Sequence, residues 1–224
     1  MTEIRMRTPS GERRVAVTSL VIAGWTGRDK AAMEHHIAEL EALGVARPAR
    51  TPIFYRASAT RLTQAPAIEV VGTDSSGEVE YVLVAAEGRL YVGVGSDHTD
   101  RKVETYGVTV SKQMCDKPLG TEFWPFEDVA GHWDRLHLRS FATIGGERAP
   151  YQDGPVARML APLDLVRDYT GSERLPDGTV MFCGTLGAIG GIRPAERFEG
   201  ELADPVLGRR IAFGYDVRPL PIEG

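Results

Sequence analysis

Glu78-Val79-Glu80-Tyr81-Val82-Leu83-Val84-Ala85 opens with two carboxylates at alternate positions and continues as apolar residues; Gly95-Ser96-Asp97-His98-Thr99-Asp100-Arg101 follows within one hairpin's length. In an extended strand successive side chains point to opposite faces, so Glu78 and Glu80 project together while Val79, Tyr81 and Leu83 face the other way. Two glutamates on one face repel each other. A hard divalent cation, Mg²⁺ or alternatively Mn²⁺ or Ca²⁺, offsets that repulsion and prefers carboxylate oxygens, and Asp97, returning on the next strand, supplies a third.

The rest of the chain is ordinary for a folded domain. It has 224 residues, 42% hydrophobic and 25% charged, enough for one sizeable core. A net charge of -5 and a pI near 5.6, with basic residues scattered singly, argue against a nucleic-acid or membrane-surface partner and for a small-molecule one. Cys115 and Cys183 are too few for a disulfide framework or a thiolate zinc site. No apolar run reaches transmembrane length, and the N-terminus, charged early and without a signal-like apolar core, reads as cytoplasmic.

Outward from the acidic pair, the pattern predicts strands over Arg14–Ala23, Ile68–Gly72, Val79–Ala85, Leu90–Val94, Tyr106–Val110, His137–Ile144, Thr179–Cys183 and Arg210–Arg218. A Gly-Trp-Thr-Gly turn precedes a helix over Arg28–Leu43, with Met33, Ile37 and Leu40 at helical spacing and Gly44 as its stop. His35 and His36 lie on that helix and read as surface residues rather than ligands, because no second ligand sits one turn away. Lys112–Pro125 reads as a loop, with a short helix near Phe126–Trp133. Pro162 begins a second helix running to Tyr169 before Gly171. Strands outnumber helices and do not alternate with them regularly, which predicts a β-rich α+β fold rather than a doubly wound sheet. Residues 1–66 read as an N-terminal strand-helix segment packed on a main domain of residues 67–224.

In their order, these segments resemble the C-terminal domain of the fumarylacetoacetate hydrolase superfamily. That pattern has a Glu-x-Glu strand, an Asn-Asp-x-Ser-Ala-Arg-Asp segment, a lysine in the following loop, a helix before a late strand, and a Gly-Thr-x-x-Gly loop. This chain offers Glu78-Val79-Glu80, Ser96-Asp97-His98-Thr99-Asp100-Arg101, Lys112, Pro162–Tyr169, and Leu175-Pro176-Asp177-Gly178-Thr179 leading to Gly184-Thr185-Leu186-Gly187. The whole chain also resembles a prokaryotic branch described only as a domain of unknown function.

The resemblance implies a β-roll or sandwich with peripheral helices, a cation bound by Glu78, Glu80 and Asp97, and a homodimer. It further implies that Lys112, for which Lys117 is a rival, stabilises negative charge on a small oxo acid, that Thr185 beside Gly184 contacts a substrate oxygen, and that Arg101 stands near the site. Tyr55 and Arg56 are candidates for contact with a ligand carboxylate. One departure matters. Superfamily hydrolases carry a water-activating histidine upstream of the Glu-x-Glu, and the nearest match, Pro52-Ile53-Phe54-Tyr55-Arg56-Ala57-Ser58-Ala59-Thr60, has none. His98 is a substitute base, although neighbours on a strand face apart, so Asp97 and His98 do not both reach one cation. Glu201 is a distant match to a histidine-pairing glutamate. Three functions follow: a metal-dependent hydrolase of acylpyruvate-like carbon–carbon bonds; a hydratase, decarboxylase or isomerase using the same enolate; or a small-molecule-binding protein that kept only the fold.

Overall fold

All eight residues of the strand Val79–Ala86 are buried, which requires cover on both faces of its sheet. The computed structural model, which describes residues 2–42 and 47–223, supplies that cover. The strand lies inside a six-stranded sheet of order Trp124–Pro125, Arg89–Ser96, Val79–Ala86, Thr179–Phe182, Ser19–Gly24, Ile53–Ala57. Val79, Tyr81 and Leu83 pack against Phe198, Leu202, Ile211 and Tyr215 of a five-stranded sheet of order Glu147–Pro155, His137–Ile144, Arg197–Asp204, Arg209–Leu220, Ala67–Val71. Val82 and Val84, on the other face, meet Ile4, Met6, Val15 and Val17 of the hairpin Thr2–Thr8 and Gly11–Val17. The fold is therefore the expected β-rich α+β type, a sandwich with a third layer. Each large apolar side chain buried this way contributes roughly 1.5–3 kcal/mol.

The hairpin from Val79–Ala86 to Arg89–Ser96 turns at Glu87 and Gly88, with φ of 54° and 71°, the two left-handed residues of a type I′ turn. Thr179–Phe182 pairs antiparallel with Val79–Ala86 and parallel with Ser19–Gly24, so the late glycine-rich loop emerges beside the acidic strand.

Several expected elements differ. Tyr106–Val110 is no strand: a helix occupies Val108–Met114, entered through the extended Gly107, and Lys112 lies inside it rather than in a loop. β-Branched residues favour strands only where a neighbouring strand is there to pair with, and here packing of the buried Ser111 and Lys112 decides. Arg14–Ala23 breaks at Thr18 into Gly11–Val17 and Ser19–Gly24, which belong to different sheets. The region near Phe126–Trp133 resolves into a helical turn Glu127–Ala130 and a 3₁₀ turn Trp133–Arg135. The helix Pro162–Thr170 ends at Gly171, whose φ of 72° lets its N–H reach the Arg167 carbonyl. The helix Lys30–Ala42 starts where the Asp29 carboxylate accepts from the amides of Ala31 and Ala32, both at 3.0 Å. Its expected end at Leu43 and Gly44, and the side chains of His36 and Leu40, lie outside the described residues. Among the described residues no helix is long and apolar enough to cross a membrane.

Candidate metal centre

Val79 pairs with Ser96 and Glu80 with Gly95, so the first turn of chain past the partner strand begins at Asp97, beside the acidic pair. The Asp97 amide donates to the Glu78 carbonyl at 3.0 Å and fixes that approach. Gly95 leaves the necessary room, since a Cβ there would lie 2.8 Å from both the Phe182 ring and the Pro118 carbonyl. Glu78, Glu80 and Asp97 thereby present ligating oxygens that all lie within 4.8 Å of one another.

Three cations surround this cluster. The Lys112 ammonium bonds to Asp97 and lies 3.2 Å from Glu78. Lys117, wholly buried, stands 2.9 Å from the other Asp97 oxygen and donates to the His98 carbonyl at 2.6 Å. Arg101 reaches Glu78 and Glu104, each at 3.0 Å, and Ser76 at 2.7 Å. Lys112 and Lys117 were rivals for one role in the sequence; in the structure both face Asp97, from opposite oxygens.

Charge and burial then separate the three carboxylates. Burial pushes Asp97 up, but Lys112 and Lys117 outweigh it and bring its pKa down to about 2. Burial likewise opposes ionisation of Glu78, and Arg101 and Lys112 reverse the balance, holding it below the ordinary glutamate range. Among the described residues no cation forms an ion pair with Glu80. Burial first, then the charges of Asp97 and Glu78, hold its carboxyl well above the usual range, and its partner is the Gly184 amide at 2.7 Å. Lys112 is also buried, but Asp97, Glu78 and Glu80 raise its pKa and keep it an ammonium. A raised carboxyl beside two ionised ones is what a divalent cation relieves, and Asp97 Oδ1 receives no hydrogen bond although Lys117 is close. The donor set, all oxygen and pre-gathered, fits a hard cation such as Mg²⁺.

Glu78 and Glu80 stand in one wall of a cavity of about 760 Å³, and Asp97 is buried beside them. Lys112, Arg101, Thr185, Gly184 and Tyr55 line it, as their sequence positions suggested. Gly184 has a φ of 99°, and a Cβ there would fall 1.8 Å from Thr26 Oγ1, so only glycine fits. The Thr185 hydroxyl donates to the Val79 carbonyl at 2.7 Å and accepts from Gln152 at the same distance. Gln152 also accepts from the Val79 amide at 2.9 Å and from Ser140 at 3.0 Å, tying both sheets to the Gly184–Gly187 loop.

Other candidates lie elsewhere. His98 is buried outside the cavity, with Nδ1 2.9 Å from the Tyr215 hydroxyl and Nε2 2.9 Å from Ser75 Oγ. Tyr215 donates to Ser96, so its oxygen accepts from His98 Nδ1–H and Nε2 accepts from Ser75. Burial, Lys117 and Arg101 lower its pKa to about 3, keeping the ring neutral. That buried network braces the segment presenting Asp97; it has no free nitrogen to activate water. Arg56 is exposed, with Nη1 3.3 Å from the Tyr169 hydroxyl and no part in the cavity wall, because it alternates with Tyr55 on one strand. Glu201 pairs with Arg139 and Arg210 on the five-stranded sheet, away from the cavity. His35 is exposed on the helix Lys30–Ala42.

The cavity wall adds Gln152, Glu104, Trp25 and Thr26, which the sequence did not single out. Gln152 sits on Glu147–Pro155, a strand too polar and exposed to show an apolar period. Trp25 had one signal, the Gly-Trp-Thr-Gly turn, and its φ of 58° is unusual for a bulky residue.

No curated protein matches the chain in sequence. A candidate fumarylpyruvate hydrolase from Burkholderia cenocepacia is similar in structure, with a TM-score of 0.68 at 19% identity over 99% of this chain and 97% of its own. Cg1458 gives 0.65 at 14% identity over 97% and 99% of the two chains. A 2-keto-3-deoxy-D-arabinonate dehydratase complexed with magnesium and 2,5-dioxopentanoate gives 0.62 at 16% identity over 94% and 77%. At such identities the likeness is one of fold. A family model described as a protein of unknown function, DUF2848, matches residues 23–215, and the chain belongs to that family.

Proposed function

We propose that this protein is a metal-dependent enzyme that binds a small 2-oxo acid, such as an acylpyruvate, and cleaves a carbon–carbon bond by way of its enolate. The observation that carries this reading is the gathering of Glu78, Glu80 and Asp97 within 4.8 Å, beside a buried ammonium, with Glu78, Glu80 and that ammonium in the wall of one cavity. A divalent cation held by those three carboxylates supplies Lewis acidity toward the substrate's oxygens. Lys112, kept protonated by its carboxylate neighbours, serves as a fixed positive charge near a developing oxyanion and not as a base. The Thr185 hydroxyl rests with its proton on the Val79 carbonyl, so to donate to a substrate oxygen it swings that proton off the backbone. Gly184 and Gln152 hold the Thr185 loop against the acidic strand.

Hydrolysis also needs a base for water. Among the described residues no imidazole lines the cavity. The same absence favours a second reading, in which the enolate is used for hydration, decarboxylation or isomerisation; the similar fold of a dehydratase supports it.

The test is calorimetric titration of oxalate, a mimic of a pyruvate enolate, into metal-stripped protein with and without Mg²⁺ or Mn²⁺, repeated on Glu80→Ala. Metal-dependent binding that the variant loses is expected. A folded wild-type protein that binds neither metal nor oxalate would leave only a shared fold. Acylpyruvate turnover that yields pyruvate and a carboxylic acid is expected; products of hydration, decarboxylation or isomerisation instead support the second reading.

A further inference from the structure

The cavity is far larger than its catalytic wall requires, and its charges are already committed. Oxalate or pyruvate would fill only a corner of about 760 Å³, a volume within the range that encloses a drug-sized ligand. Away from the acidic cluster the lining includes Trp25, Tyr55, Val108, Leu186 and Ile192, together with uncharged polar side chains, among them Thr26, Thr105 and Gln152. Among the described residues Arg101 and Lys112 are the lining cations. Lys112 is held by Asp97 and Glu78, and Arg101 is shared between Glu78 and Glu104, each at 3.0 Å. Each cation's charge is thus already offset by two carboxylates, and what Lys112 still offers is directed at the enolate end rather than at a tail. Glu104, beyond Arg101, adds a negative charge of its own to the lining.

A carboxylate at the far end of a substrate would lose its hydration without gaining a partner and would meet Glu104, a cost that an apolar tail avoids. Resting on the enolate reading above, we propose that the site takes a monoanionic 2-oxo acid whose far end is an uncharged apolar group, and that Glu104, tethered by Arg101, is the specificity-determining residue that turns away a second carboxylate. Rejection by an unpaired charge is a usual way to obtain discrimination that apolar contact alone does not give.

Substituted oxamates test this, because they keep the oxalate-like head and carry a tail without a cleavable carbon–carbon bond to it. In magnesium-loaded protein, calorimetry compares oxamate, N-butyloxamate and N-(2-carboxyethyl)oxamate. The butyl compound is expected to bind at least about tenfold more tightly than oxamate, since each buried methylene contributes roughly three- to fourfold. The carboxyethyl compound is expected to bind no better than oxamate. Glu104→Gln narrows the gap between the two tails at least several-fold. Ile192→Arg, a substitution at an exposed rim position that folding tolerates, places a cation at the mouth and narrows it too. Equal or tighter binding of the carboxyethyl compound by the wild-type protein overturns the proposal, as does a gap unmoved by both variants. Failure of oxamate and oxalate themselves to bind is a different result and strikes the enolate reading instead.

Discussion

Replacing Lys117 by methionine removes one of two ammonium groups facing Asp97 while keeping the volume and stem of the side chain. Lys117 and Asp97 are both wholly buried, 2.9 Å apart. Removing one partner of a buried pair costs about 3–5 kcal/mol, because the remaining charge stays desolvated. Lys112 still bonds to Asp97, which places the electrostatic part near the lower end. Loss of the 2.6 Å bond to the His98 carbonyl adds about 1 kcal/mol. The expected loss is about 3–4 kcal/mol, a large share of a stability typically of about 5–15 kcal/mol. The assay is urea unfolding in EDTA, followed by the fluorescence of the buried Trp124 and Trp133. With a slope of about 2–3 kcal/mol per molar for a chain of this size, the midpoint falls by about 1–2 M. Asp97→Asn/Lys117→Met, which removes the stranded charge together with its partner, is expected to be more stable than Lys117→Met alone. Mg²⁺ is expected to shrink the loss by supplying positive charge to the same carboxylate. A loss below about 1 kcal/mol in EDTA, or a double variant less stable than the single one, would refute the reasoning and leave Lys112 as the sole counter-charge that matters.

The two other predictions concern Glu80 and its loop. Glu80 is held well above its ordinary value of 4.5, so the metal-free folded protein keeps a proton there that the unfolded chain releases; stability in EDTA should fall as pH rises past that ordinary value. Asp97 does not mask the trend: its folded value of about 2 lies below its unfolded one, so its contribution is complete above the unfolded value and is lost only as pH falls through about 2. His98, at about 3 when folded against an ordinary 6.5, adds stability as pH rises to about 6.5 and so opposes the trend below that; urea midpoints between pH 7 and 8.5 should therefore decline in EDTA and flatten in Mg²⁺, and identical slopes in the two buffers would count against a cation on Glu80. Gly184→Ala combines a left-handed φ of 99° with a Cβ 1.8 Å from Thr26 Oγ1, and should cost about 2–4 kcal/mol in thermal or urea unfolding. By displacing the amide that holds Glu80 it should also weaken Mg²⁺ binding measured by calorimetry, whereas unchanged affinity would show the loop to be independent of the cluster.

Much of the site was legible because strand alternation is a local rule. Glu78 and Glu80 share a face two residues apart, and the following hairpin returns Asp97 to them whatever the rest of the chain does. The same rule separated Asp97 from His98 and, less expectedly, Tyr55 from Arg56. Local patterns failed where long-range contacts outweighed them. Tyr106–Val110 alternates like a strand, yet its end lies in the helix Val108–Met114, where Lys112 reaches the buried Asp97 and the half-buried Glu78, 15 and 34 residues away in sequence. Glu147–Pro155 hid Gln152 because its first four residues are exposed on both faces, so the strand shows no apolar alternation.

By itself, then, the sequence determined the β-rich class, the three carboxylates and the glycine that the Thr185 loop requires, since these follow from side-chain period, like-charge repulsion and left-handed backbone. Only the tertiary structure decided that Lys112 and Lys117 both serve Asp97, that His98 is sealed in a hydrogen-bonded network, and that Glu104 closes the ledger of charge in the cavity. Those outcomes depend on which side chains lose their water together, and desolvation is a property of the assembled layers, not of any one segment.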